Sequence, residues 1–359
     1  MSIIGRIVRL YKKLDGIIDD NLNSVQRTTS RDIRRKMIFA KILCGIGYSS
    51  FFYYRCERTT YRQLFKLMLA KHFCGIEISG LFLYHCEKAS LCQISRIILF
   101  DEQENLWLQV NPIESRIILN DKFKAYLHFK NYYQRDVIFV NGKEAKEEFK
   151  SFCQSHSHFI VKPLAEACGR GIQLIDTNED AFSVEDYLNS NPDGFVAEEL
   201  IKQGDALSIL HPESVNTLRI NTVNYGSSIE VVWPCLRMGR GDSIVDNAGA
   251  GGIFGAVDTA TGAIIGVSDE HNHTFVVHPD TGVPLIGFRV PKWGEACEMA
   301  KCLAGLIPEC HFVGWDLAFT DKGWVMVEGN ARPYIIWQIA TGKGIRKDFC
   351  RMKRRLLKK

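Results

Sequence analysis

Residues 312–330, FVGWDLAFTDKGWVMVEGN, constrain the fold more than any other stretch, because their turn sets a strand register. Asp321, Lys322 and Gly323 form a three-residue hairpin loop, with glycine where the backbone needs a positive φ. Pairing Thr320 with Trp324 and counting outward in twos places Asp316 opposite Glu328, and Asn330 opposite Gly314. Asp316, Glu328 and Asn330 then project from one face. Two carboxylates and an amide oxygen among Phe, Val, Trp and Met are costly to bury unless a cation neutralises them. Such oxygen ligands suit Mg²⁺, which completes its shell with phosphate oxygens and water. The alternative is the ordinary polar alternation of an exposed sheet face.

The surrounding texture is consistent with a sheet protein of mixed class. After about residue 120, short β-rich runs alternate with Gly, Asn and Asp turns. Residues 158–164, 171–176, 194–200, 217–223 and 229–238 read as strands, and 254–267 and 312–333 read as hairpins. Helical pieces near 143–155 and 292–306 give an α+β mixture rather than regular βαβ alternation. One apolar strand ends in Lys162, then a loop carries Gly169, Arg170 and Gly171. Glycines let backbone N–H groups approach phosphate, and a lysine adds a compact positive charge. The same segment also fits a plain hairpin. No GxxxxGK[ST] and no strict GxGxxG occurs, so neither a Walker A loop nor a Rossmann fingerprint is indicated.

The first 110 residues differ. Residues 41–70 align with 71–100 at eleven of thirty positions, among them Cys44/Cys74, Tyr54/Tyr84 and Cys56/Cys86. Each unit reads as a helix-turn-helix pair packed on its copy. The four cysteines are spaced x11, x17, x11, which fits no common zinc module, so buried thiols are expected. Ile3, Ile4, Ile7, Tyr11, Leu14 and Ile18 lie at helical spacing among Arg6, Arg9, Lys12 and Lys13, an amphipathic basic helix. No secretory signal pattern opens the chain, and the apolar run 38–54 is interrupted by Lys41, short of the about 20 residues of a membrane span. Twelve cysteines in that context point to reduced thiols in a cytoplasmic protein. Of the net charge of +4, residues 343–359 carry nine Lys or Arg against Asp348, a basic tail that reads either as a solvated terminus or as a contact for an anionic partner or membrane face. The rest of the chain lacks basic-aromatic interleaving, which argues against a nucleic-acid partner.

Taken in order, these elements resemble the ATP-grasp superfamily over roughly residues 120–340. The resemblance implies an α+β ATP-grasp fold: a helical N-terminal region with the repeat (1–110), a small subdomain (111–203), a large subdomain with the metal site (204–345) and the basic tail (346–359). It implies that Lys122 and Lys162 reach the nucleotide phosphates and that Gly169, Arg170 and Gly171 close over them. Glu198, Glu199 and the backbone through Ile201 would read the adenine edge, and Asp205, where Glu is usual, would take the ribose hydroxyls. Asp316, Glu328 and Asn330 match the metal triad, and Arg332 extends it to Glu-x-Asn-x-Arg. Arg219 matches the positive group for the transferring phosphoryl. The SVNTLRINT, VDNAGAGG and GWDLA signatures are most similar to the sugar-transfer-associated ATP-grasp proteins of bacterial polysaccharide loci.

The expected activity is an ATP-dependent carboxylate–amine ligase. ATP and two Mg²⁺ ions, for which Mn²⁺ could substitute, would activate a small-molecule or glycan carboxylate as an acyl phosphate. Lys162, Arg219 and Arg332 would carry the chemistry, an amine would displace phosphate, and residues 237–255 would form the lid. Rival readings are a kinase on the same fold and a nucleotide-binding regulator. Tyr54 and Tyr84 in the repeat either stack on an acceptor sugar or belong to a repeat that simply covers a hydrophobic sheet face.

Overall fold

The computed structural model describes residues 91–164, 171–179 and 182–358, together with residues 63, 66, 69, 70, 84, 86, 89 and 90. The 3–18 helix, most of the repeat, Tyr54, Gly169 and Arg170 lie outside the described residues. The chain divides into two units, residues 1–82 with 86–91, and residues 83–85 with 92–359. In the first, Lys66 Nζ donates to Ala89 O at 2.6 Å. The second holds every element below, including the helix at the end of the region expected to be N-terminal.

That unit opens with three helices, α1 (Phe100–Val110), α2 (Ile113–Asn120) and α3 (Lys122–Tyr133). Asp121 caps α3 by accepting from Phe123 N at 3.1 Å and Lys124 N at 3.0 Å, so Lys122 is fixed as the first helical residue. A four-stranded antiparallel sheet follows, from β1 (Val137–Val140), β2 (His158–Pro163), β3 (Gln173–Asp176) and β4 (Phe195–Glu199) in the order β1-β4-β2-β3. Helices α4 (Lys146–Ser155) and α5 (Val184–Ser190) cover one face, where Phe149, Phe152 and Leu188 pack on Phe159, Val161 and Phe195.

The larger sheet is antiparallel throughout. It consists of β5 (Thr217–Asn224), β6 (Ile229–Met238), β7 (Ile253–Val257), β8 (Ile264–Asp269), β9 (Phe312–Thr320) and β10 (Gly323–Asn330), ordered β10-β9-β5-β6-β7-β8. One face buries Leu218, Ile220, Trp315 and Leu317 with α3 residues Tyr126 and Phe129 and with Ala300 and Leu303 of α6 (Trp293–Leu306). Proline inside β6 is tolerated because the strand bulges there: Arg219 pairs with Cys235 but Asn221 with Val232, and Trp233 takes φ +46°.

The β9–β10 hairpin corrects the expected turn. Gly323 pairs with Thr320 and Trp324 with Phe319, so the loop holds two residues, not three. A bulge at Val327 then restores the count, and Asp316 faces Glu328 and Gly314 faces Asn330 as expected. A one-residue slip near the turn would otherwise have sent Glu328 to the opposite face.

The basic tail is likewise more than a solvated terminus. After α7 (Trp337–Thr341), helix α8 (Arg346–Leu356) buries Phe349, Met352 and Leu356 against Trp107, Phe312 and Val110. Arg346 pairs with Glu102 at 2.6 Å, Arg355 with Glu230 at 2.5 Å, and Arg355 lies 3.6 Å over the Tyr225 ring. Among the described residues, no helix is long and apolar enough to cross a membrane. Tyr84 departs from its expected role as an exposed stacking group: it is 2% exposed, and its hydroxyl meets that of Tyr334 at 2.6 Å.

Candidate functional site

A cavity of about 520 Å³ opens between the two sheets. Ile160, Ile172, Leu174, Leu200, Ile201 and Val327 give it apolar walls, which suits a planar base. Lys122, Lys162, Arg237, Asp246 and Glu328 supply charge at its rim and floor.

The lysines are held from beneath. Glu198 is buried, and its carboxylate meets Lys162 Nζ at 2.8 Å and Arg135 Nη2 at 2.8 Å. Burial would raise the Glu198 pKa, but Lys162 and Arg135 outweigh it and bring it down to about 2. Arg135 is anchored in turn on Met326 O at 2.6 Å and Tyr133 O at 3.2 Å. Lys122 Nζ donates to Pro163 O at 2.9 Å, and burial together with the Lys162 charge lowers its pKa. Two ammonium groups thus face one cleft, an arrangement that favours a polyanion.

On the large sheet, Asp316 is fully buried beneath two guanidiniums. Arg219 grips it through both Nε and Nη2, the latter at 2.7 Å, and Arg237 Nη2 adds a contact at 2.9 Å. Burial pushes the Asp316 carboxyl up, yet the two arginines hold its pKa at about 2. Glu328 goes the other way: burial and the adjacent Asp316 carboxylate raise it. Its side chain is reached by water within the cleft although protein surrounds it. Asn330 Nδ2 lies 3.1 Å from Glu328 Oε1 and 3.4 Å from Asp316 Oδ2. Two crowded carboxylates with the Asn330 amide alongside form a donor set that a hard divalent cation would fit. Gly314 makes room for this cluster. A Cβ there would lie 2.6 Å from Pro333 Cβ and 3.0 Å from both Arg219 Cδ and Asn221 Oδ1.

The structure brings Lys122, Lys162, Arg219, Asp316, Glu328 and Asn330 together and places Ile201 on the cleft wall. It separates others. Glu198 lies under the cleft with both oxygens engaged, so it holds Lys162 rather than presenting a carboxylate to the adenine edge. Glu199 points away, accepting from Asp136 N at 3.1 Å. Asp205 is exposed at the start of a helical turn (Asp205–Ser208) and does not line the cavity, whereas Glu213 does. Gly171 has φ +67° and lies next to Ile172 on the wall. Arg332 is half exposed and paired with Glu104 of α1. Sequence reasoning missed Arg135, Arg237 and Asp246. For Arg237 the signal was present, since it stands opposite Thr217 on the strand beside Arg219.

Three comparisons bear on this geometry. A family model described as sugar-transfer-associated ATP-grasp matches residues 101–354. No curated protein matches the chain. Among solved structures, the ATP-grasp ligase PsnB complexed with its minimal precursor is similar at 13% identity and TM-score 0.44, covering 69% of this chain and 63% of that one. The D-alanine-D-alanine ligase of Coxiella burnetii is similar at 9% identity and TM-score 0.42, covering 68% and 60%. The VanG D-Ala:D-Ser ligase of Enterococcus faecalis is similar at 13% and 0.43, covering 68% and 62%. The chain spans less than two thirds of the length of these structures. With the model matched over most of its length, the chain belongs to the sugar-transfer-associated ATP-grasp family.

Proposed function

We propose that the cleft binds ATP with Mg²⁺ and drives an ATP-dependent carboxylate–amine ligation through an acyl phosphate. The observation that carries this reading is the juxtaposition of two inward lysines with the Asp316–Glu328 carboxylate pair at one cavity. Residues 111–203 are the small subdomain and 204–345 the large one. The backbone from Leu200 to Gln203 lines the cavity where the base would lie, and Glu213, which lines it while Asp205 does not, is better placed for the ribose.

Asp316, Glu328 and Asn330 would hold the divalent cation, which when bound neutralises the β and γ phosphates. Lys162, braced by Glu198 and Arg135, fixes phosphate oxygens at a set position. Lys122 adds charge from the start of α3. Arg219 lies beside Asp316, where charge builds as a substrate carboxylate attacks the γ phosphorus. The acyl phosphate formed is then consumed by an amine, with closure of the 239–252 loop keeping water away. The family's association with sugar transfer supports a glycan precursor as one of the two substrates.

Lys162→Ala and Glu328→Gln each reduce ATP turnover by about 100-fold or more, because the first removes a positive charge aimed at the phosphates and the second a carboxylate that would hold the cation. Circular dichroism remains that of the wild type. Near-normal turnover in a folded variant would refute the assignment.

A further inference from the structure

Arg237 stands between two buried carboxylates that belong to different parts of the site. Its Nη2 donates to Asp316 Oδ2 at 2.9 Å, and its Nε lies 3.6 Å from Asp246 Oδ2. Thr217 occupies the middle. Its Oγ1 accepts from Arg237 Nε at 3.0 Å and Nη2 at 2.9 Å, while its own hydroxyl and its N–H, at 2.8 Å, both donate to Asp246 Oδ2. Side-chain exposures of 14% for Arg237, 9% for Asp246 and 0% for Asp316 leave these charges weakly screened.

The two acids answer to different events. Asp316 is the innermost of the cation ligands, whereas Asp246 belongs to the loop between β6 and β7. That loop is fixed at its base, where His211 Nε2 meets Gly241 O at 2.8 Å, His278 Nε2 meets Gly239 O at 3.0 Å, and Asp280 accepts from Gly241 N at 2.7 Å. Farther along, Asp246 ties it to β5 and β6 through Thr217 and Arg237.

A cation at Asp316 conflicts with the two guanidiniums already there. Among the described residues, Arg219 forms an ion pair with Asp316, while Arg237 has a second acid within reach. Closing 3.6 Å to a charge-assisted hydrogen bond of about 2.8 Å takes a shift of under an ångström. We propose that Arg237 and Asp246 are positioning residues that couple the metal site to the 239–252 loop: as a divalent cation takes Asp316, the Arg237 guanidinium moves onto Asp246 and clasps the loop to the sheet. This rests on the metal-site reading above. By linkage, weakening the clasp must weaken cation binding although Asp246 does not touch the cation.

The test is Mn²⁺ titrated calorimetrically into the wild type, Asp246→Asn, Arg237→Met and the double variant, with Glu328→Gln as the control for the site. Asp246→Asn weakens Mn²⁺ binding by about fivefold or more, the lower end of common coupling energies. In the Arg237→Met background the same substitution leaves the affinity unchanged. In parallel, Mn²⁺ slows hydrogen exchange across residues 239–252 in the wild type and not in Arg237→Met. If Arg237→Met does not fold, Arg237→Lys replaces it; its shorter side chain lacks the planar fork that spans Asp316 and Asp246, so the loss on adding Asp246→Asn shrinks. An equal loss in both backgrounds means a through-space charge effect and overturns the coupling, as does unchanged loop exchange. Wild type that ignores Mn²⁺, or Glu328→Gln that binds it normally, overturns the metal site itself and the coupling with it.

Discussion

Glu198→Gln tests the claim that a buried ion triad holds the phosphate lysine. The carboxylate is 3% exposed and satisfies Lys162 at 2.8 Å and Arg135 at 2.8 and 3.1 Å. Removing one partner of such a group strands the others in a poorly solvated place, at a cost of about 3–5 kcal/mol. At about 2–4 °C per kcal/mol for a domain of this size, melting falls by about 6–20 °C at pH 7. The pH dependence has a defined sign. The Glu198 pKa is lowered from 4.5 to about 2, so its stabilisation is fully present above pH 4.5 and is lost as pH falls through about 2. The gap between wild type and variant therefore narrows across that window. Thermal unfolding followed by circular dichroism measures both effects. Lys162→Met added to Glu198→Gln costs less than Lys162→Met alone, since it removes one of the stranded charges. A melting shift under 2 °C, or strict additivity of the two substitutions, would refute the triad.

Three further outcomes follow from other contacts. Gly314→Ala forces a methyl against Pro333 and Arg219 Cδ, so it costs about 1–3 kcal/mol and lowers kcat more than it raises the KM for ATP. Phe349→Ala, seen by thermal melting, costs about 3–5 kcal/mol, because α8 shares its core with Trp107 and Phe312. Tyr84→Phe loses one hydroxyl contact with Tyr334, worth about 1 kcal/mol, and steady-state kinetics leave the acceptor KM unchanged.

Much of this site was legible because chemistry and period coincide. In β9, Trp315, Leu317 and Phe319 fix the buried face and leave Asp316 on the other; in β10 the same alternation would group Glu328 with Trp324 and Met326, and the bulge at Val327 turns it to Asp316's side. The turn was misread because Asp321 and Lys322 suffice for a two-residue loop. The bulge that compensates at Val327 leaves no local mark, being set by tertiary pairing. Lys162 was identified from its place after an apolar run, but Arg135, which shares the Glu198 carboxylate with it, comes from the α3–β1 connection, across the sheet. Such pairings depend on which strands become neighbours, and β1, four residues long and read as no strand at all, lies beside β4. Glu198 and Glu199 looked equivalent as carboxylates near a hinge, yet strand alternation sends one under the cleft and the other outward. The basic tail read as solvated because its charges dominate its composition, while Phe349, Met352 and Leu356 recur at helical spacing and carry the packing.

The central claim is that the cleft makes an acyl phosphate. Its most direct test supplies the purified protein with Mg²⁺, ATP, a panel of carboxylates including uronic and amino acids, and hydroxylamine in place of the amine. The account predicts that at least one carboxylate yields a hydroxamate in step with ADP, and that Glu328→Gln abolishes both. ADP release with a phosphorylated hydroxyl product and no hydroxamate would contradict it, and would make the protein a kinase on the same fold.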